Sequence, residues 1–234
     1  MKGRKAGFTL IEMLISIAIV AFVLAAASAF FIMSVKQFKV QTKIIESNIE
    51  GMIGLELFRR DLENLGLGLP WNNLPTNPTY YKERTAAGLS ALNDFPNPPR
   101  AVVSIDCASS TLTVNRSDYL VIKAASVGMD NAAGKWTTVI QSGATRVWSP
   151  PEENLTASDY VMVLSVGSTD ANRRSLVNPS SPYTLFSTVL PSGYSPTFSY
   201  SANIVYGIGS AQPVRPFNRA EYFVSSDNVP QRCA

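Results

Sequence analysis

The chain has no histidine, only two cysteines, and no proline before Pro70. Each absence excludes something. Without imidazole there is no Ser-His or Cys-His catalysis and no zinc site with histidine ligands. The patterns GxSxG and SxxK and a phosphate-binding glycine loop are missing as well, so no catalytic residue, metal or cofactor is assigned and an enzyme is not expected. "GMDNAAGK" at 128–135 offers a single carboxylate, Asp130, and reads as a turn rather than a calcium loop. Cys107 and Cys233 stand 126 positions apart without a CxxC pair. A disulfide between them is the favoured reading, with two buried thiols as the alternative. In an oxidising compartment, closing so long a loop contributes up to about 5 kcal/mol in the chain-entropy account and ties down the penultimate residue.

Charge is also absent where it matters. From Met13 to Met33, 21 residues pass without a charged side chain. As a helix they span about 31 Å, the thickness of a bilayer's hydrocarbon core. The net charge of +3 is local: Lys2, Arg4 and Lys5 are three of the 20 basic residues, and beyond Gly7 the remaining 17 meet 17 acidic ones. No basic stripe remains to suggest nucleic acid as a partner. Lys36, Lys39 and Lys43 beyond the apolar run balance the leader, so charge does not set the orientation. A conventional secretory signal, with "AAASAF" at 25–30 as its cleavage site, is an alternative, but it leaves Glu12 at the head of the apolar run without a purpose.

What is present at the start is an ordered set of parts: a basic leader, Gly7, then Phe8-Thr9-Leu10-Ile11-Glu12, then the apolar run. This resembles the class III signal of type IV prepilins and pseudopilins, written G|FTLxE, at every position of the motif. The resemblance implies that a membrane aspartyl peptidase, the prepilin peptidase, cuts between Gly7 and Phe8 on the cytoplasmic side. The same enzyme then methylates the new amine of Phe8, and the apolar segment survives as an anchor and as part of a filament's helical core. It also implies that Glu12 meets the N-terminal amine of a neighbouring subunit. The chemistry agrees with that role. A free amine with a reference pKa near 8 is largely cationic at neutral pH, and a carboxylate inside a membrane costs about 2.5–3.5 kcal/mol unless it pairs or acts. Two simpler roles stand beside it: Phe8 and Glu12 are one helical turn apart, and a carboxylate in a first turn is favourable against the helix dipole.

With proline held back to Pro70, residues 8–65 read as one helix of about 87 Å. Its second half carries Phe38, Ile45, Ile49, Met52, Leu55, Phe58, Leu62 and Leu65 at mostly helical spacing with charges between them, a stripe expected to pack on a sheet of the same chain. "LGLGLP" should end the helix, and residues 66–100 read as a loop that Trp71, Tyr80 and Tyr81 would pin. From Ala101 come short β-rich runs: "AVVSI", "STLTV", "DYLVIKAA", "KWTTVIQ", "TRVWS", "DYVMVLSV", "TLFSTVL", "ANIVYGI" and "AEYFVSS". "QSGAT" reads as a hairpin turn and "TDANRRSLVNPSSP" as an exposed connection.

The expected fold class is therefore α+β, a long N-terminal helix packed on an antiparallel β-sheet domain, and pilin architecture is similar. The expected organisation is a leader at 1–7, a helix at 8–65 with its transmembrane part at about 13–33, and a β-rich domain at 66–234. Where major pilins usually carry a proline within the anchor, this chain has Ala29. "RRDLENLGLG" and "RSDYLVIKAAS" resemble the PilW group of minor pilins. That resemblance implies a minor subunit priming or joining a type IV pilus near its tip, with a minor pseudopilin of type II secretion as the alternative. The implied partners are the prepilin peptidase, other minor pilins, the major pilin and the inner-membrane assembly platform. The implied location is the inner membrane, single-pass with the C-terminal domain periplasmic, and then the surface pilus.

Overall fold

The computed structural model describes residues 9–83, 90–106, 118–167, 173–199 and 201–224, and the backbone of 230–233. The first element is a helix of 54 residues, α1 (Leu10–Glu63). Continuous Leu, Ile, Ala, Lys and Glu favour helix and no proline interrupts them. The end follows from Gly66 and Gly68, both at positive φ, and from Pro70 behind them. At Gly68 (φ +66) a Cβ would stand 2.7 Å from the Cβ of Ala125, so only glycine permits this exit from the helix.

The chain divides into two compact units, residues 1–57 and 58–234. The described part of the first is helix alone, with its apolar side chains exposed from Leu10 to Leu55. The second unit takes in the last turns of α1 and nine strands: β1 (Val102–Asp106), β2 (Asp118–Ala124), β3 (Trp136–Val139), β4 (Tyr160–Val166), β5 (Arg173–Leu176), β6 (Thr184–Leu185), β7 (Asn203–Gly209), β8 (Asn218–Val224) and β9 (Pro230–Cys233). These form two antiparallel sheets, one ordered β1-β2-β8-β9 and one ordered β3-β7-β4-β5 with β6 against β4. The architecture is α+β, a long helix packed with antiparallel sheets.

The period-two rule shows in the central strands, which are buried on both faces. In β4, Val161 and Val163 enter one core with Val139, Leu190, Tyr194 and Val205, while Met162 and Leu164 enter another with Ala125, Leu176 and Ile208. In β2, Tyr119 and Val121 face Leu92 and Phe223, and Ile122 and Ala124 face Ala220, Tyr222 and Phe58. The even-numbered face of β2 is thus the one covered by the end of α1. Phe58 meets Tyr222 edge-on with ring centroids 4.8 Å apart, and the Tyr222 hydroxyl donates to Asp61 Oδ2 at 2.6 Å.

Within the second unit the expected apolar stripe is represented by the last turns of α1. Phe58 and the buried Asp61 carry the packing, whereas Phe38, Ile45, Ile49, Met52 and Leu55 are each more than half exposed. Of the aromatics expected to pin the loop after the helix, Tyr81 does so. It is 1% exposed between Phe95 and Phe217, with its hydroxyl donating to the Asn97 carbonyl. Tyr80 touches Tyr183 edge-on, and Trp71 lies half-exposed beside Arg174.

The strand expectations divide similarly. "QSGAT" is the turn expected: Ile140 N donates to Ala144 O, and Gly143 (φ +81) sits where a Cβ would collide with the Leu190 carbonyl. "TRVWS" forms a single bridge, Val139 to Thr145, rather than a strand, and "TLFSTVL" contributes the two residues of β6 and a bridge from Val189 to Ala144. Within "TDANRRSLVNPSSP", read as exposed connection, lies β5 with Ser175 and Leu176 buried, and β9 was not expected at all. "STLTV" lies outside the described residues.

Candidate functional site

The head of α1 is organised by two side chains. Thr9 precedes the first helical residue; its backbone N–H and its hydroxyl both donate to Glu12 Oε2, at 2.9 and 2.8 Å, and Glu12 N–H points back at Thr9 Oγ1 at 3.4 Å. This is a reciprocal capping box. It satisfies two amides that a helix start otherwise leaves without partners, and it holds a negative charge against the positive end of the helix dipole. Oε1 of Glu12 has no hydrogen bond among the described residues. Glu12 is exposed in the chain, and the next hydroxyl along the helix, Ser16, donates back to the Glu12 carbonyl at 2.8 Å. Thr9 was not singled out from the sequence, yet Thr-x-x-Glu ahead of an apolar run carries the signal.

Behind this head, α1 is long and apolar enough to cross a membrane near the N-terminus. Its polar exceptions are matched to that setting. Ser28 donates to the Leu24 carbonyl at 2.8 Å, as Ser16 does to Glu12, so neither hydroxyl enters an apolar medium with its donor unmet. The expected cleavage pair, Gly7 and Phe8, lies outside the described residues, as does Cys107; of Cys233 only the backbone is described, in β9 opposite Glu221.

The second unit holds a buried ionic network that sequence reasoning did not find. Lys123, fully buried on the odd-numbered face of β2, bonds Glu83 at 2.6 Å, Asp94 at 2.5 Å and the Leu92 carbonyl at 3.0 Å. Arg219 on β8 bonds Glu83 at 2.8 Å and lies 2.8 Å from Glu221, whose other oxygen takes the Tyr119 hydroxyl. Arg100 reaches Asp94 from the surface. Burial alone would push the Asp94 carboxyl up, but Lys123 and the Arg100 amide and guanidinium hold it below the usual carboxylate range. Every carboxylate here faces a cation, so the network joins Glu83 and residues 92–100 to the β1-β2-β8-β9 sheet rather than offering a metal or a catalytic dyad. Asp130 is spent on Ala132 N, Ser210 N and Ser210 Oγ, consistent with a turn. Among the described residues no group of three His, Cys, Asp or Glu side chains could hold a metal ion.

Compared with known proteins, the chain matches the family model for the prokaryotic N-terminal methylation motif over residues 2–28. No curated protein and no solved structure matches it. The match supports a type IV pilin-like or pseudopilin protein: a structural subunit anchored by its apolar helix, processed by a prepilin peptidase and assembled with other pilins. The matched segment contains Thr9 and Glu12, the two residues that build the head of α1.

Proposed function

We propose that this chain is a minor pilin of a type IV pilus, close to the PilW group. It is cut between Gly7 and Phe8, methylated on Phe8, held single-pass in the inner membrane with residues beyond the anchor in the periplasm, and then incorporated near the filament tip. The observation that carries this reading is the order of parts: the methylation motif at 2–28 runs directly into a helix able to span a bilayer, and a globular β unit follows. A mere tether needs no such motif.

Glu12 is the assembly contact in this reading. Thr9 occupies one carboxylate oxygen and orients the group, which leaves Oε1 for the cationic amine of a neighbouring subunit. Other minor pilins, the major pilin and the assembly platform are the partners this role requires. Exposure of the apolar face from Phe38 to Leu55 in the single chain supports lateral burial in an assembly, because so long an apolar surface is unfavourable in water.

Deleting the gene tests the assignment. The expected result is loss of surface pili and twitching with normal secretion. Intact pili with exported enzymes trapped in the periplasm would assign the chain to type II secretion instead.

A further inference from the structure

One cleft of the second unit is built from groups that its own fold leaves unused. Trp136 opens the edge strand β3 and is 45% exposed; Trp148 lies beside it on the segment that follows the hairpin, ring centroids 4.9 Å apart and planes at 60°. Their geometry is fixed. The Trp148 indole N–H donates to the Trp136 carbonyl at 2.7 Å, and Asn154 clamps the Trp148 backbone by accepting from its N–H at 2.7 Å and donating to its carbonyl at 2.8 Å. The Arg146 guanidinium lies 4.2 Å from the centre of the Trp148 ring, and Lys135 is tied to the Asn154 carbonyl at 3.2 Å.

Around the indoles stand Arg60, Asn131, Glu152 and Glu153, lining a cleft of about 530 Å³, inside the range of about 300–1,000 Å³ usual for small-molecule sites. Among the described residues the Arg60 guanidinium, the Asn131 amide and the Glu152 and Glu153 carboxylates make no hydrogen bond or ion pair. The site therefore presents a flat apolar face, rigidly held, with free donors and free acceptors at its rim.

We propose that this cleft binds an uncharged oligosaccharide of gluco-configured pyranose units. The chemistry selects that class over its rivals. Among the residues lining the cleft two cations, Arg60 and Lys135, meet two anions, Glu152 and Glu153, and Arg146 on the Trp148 ring adds a single positive charge, far short of the cationic surface that a nucleic acid or an acidic peptide needs. A quaternary ammonium wants several open aromatic faces with excess carboxylate, whereas Arg146 covers Trp148 and the two carboxylates do not outnumber the cations beside them; the exposed Trp136 indole is the face left for a ligand. A purely apolar ligand would strip water from four polar side chains and satisfy none of them. A pyranose with equatorial hydroxyls lays its C–H face on an indole and directs its hydroxyls sideways, where carboxylates accept and a guanidinium and an amide donate. This binding role does not depend on whether the chain joins a pilus or a secretion filament.

The test uses the full chain in a detergent without a sugar headgroup, titrated with chitotetraose and with cellotetraose by calorimetry and tryptophan fluorescence. We expect saturable binding of at least one of them, with Kd below about 1 mM. Binding of chitotetraose alone assigns part of the recognition to the N-acetyl group, and binding of both assigns it to ring stacking. Trp136→Ala should weaken binding by about tenfold or more, and Glu152→Gln, on an exposed turn, by severalfold with an unchanged melting temperature. Absence of saturable binding of both sugars up to about 10 mM, or retention of wild-type affinity by Glu152→Gln together with Trp136→Ala, overturns the proposal. If Trp136→Ala fails to fold, Glu152→Gln combined with Asn131→Ala decides in its place.

Discussion

Glu12 caps the helix and, in the proposed reading, is also the assembly contact; a single substitution confuses the two roles, and Thr9 separates them. Removing the cap with Thr9→Ala should cost about 1 kcal/mol at the helix start while leaving the carboxylate available to a partner. Glu12→Leu removes both functions; leucine inserts more easily in lipid, so insertion and cleavage should stay normal. A neighbour's amine would then be buried without its counter-charge, and recovery of partner pilins by co-purification should fall by about tenfold or more. Equal recovery with both variants would reduce Glu12 to a helix cap. The Asp94 carboxyl is held below its ordinary value when folded, so its contribution is complete above the unfolded pKa of about 3.9 and fades as pH falls through the lower folded value. Asp94→Asn should destabilise the second unit by about 3 kcal/mol at pH 7, since Glu83 still holds Lys123, and its deficit relative to wild type should shrink below about pH 4. Urea titrations at several pH values, followed by near-ultraviolet circular dichroism, check both statements.

At the scale of elements, what was legible in the sequence depended on how local the cause was. The helix, its end at the paired glycines, the hairpin at "QSGAT" and the long strands β2, β4, β7 and β8 arise from patterns a few residues long. β5 and β9 do not: "RRSL" exposes both arginines, "PQRC" has no apolar alternation, and each strand exists because a neighbour pairs with it. The same contrast holds for the sites. Gly7, Phe8 and Glu12 could be named because the motif is contiguous, whereas Lys123 meets partners from distant segments and its lysine offered no hint of burial. The apolar stripe of α1 could be read as a face from its periodicity, and within the second unit its Phe58 packs against Tyr222. That yields a test. Phe58→Ala should lower the stability of the second unit by about 2 kcal/mol, less than the about 3–5 kcal/mol of a fully buried phenylalanine because the ring is half-buried. Phe38→Ala should leave the melting temperature of the single chain unchanged, and a matching loss at Phe38 would contradict the assignment of the packing to the helix end.

The molecule as a whole runs from an N-terminal methylation motif through an apolar helix to a β unit. The β unit is expected to mature in an oxidising compartment, with Cys107 and Cys233 joined. Non-reducing peptide mapping of the full chain purified from the cell envelope should find that pair linked, and two free thiols would argue against both the bond and the compartment. The functional account rests on the motif at 2–28 being used as a cleavage and methylation signal. The most direct measurement is the intact mass of the chain recovered from membranes and from sheared filaments. The account predicts, in both fractions, a chain beginning at Phe8 and carrying one added methyl group on its amine. A chain that still begins at Met1, or one cut between Ala25 and Phe30, would contradict it.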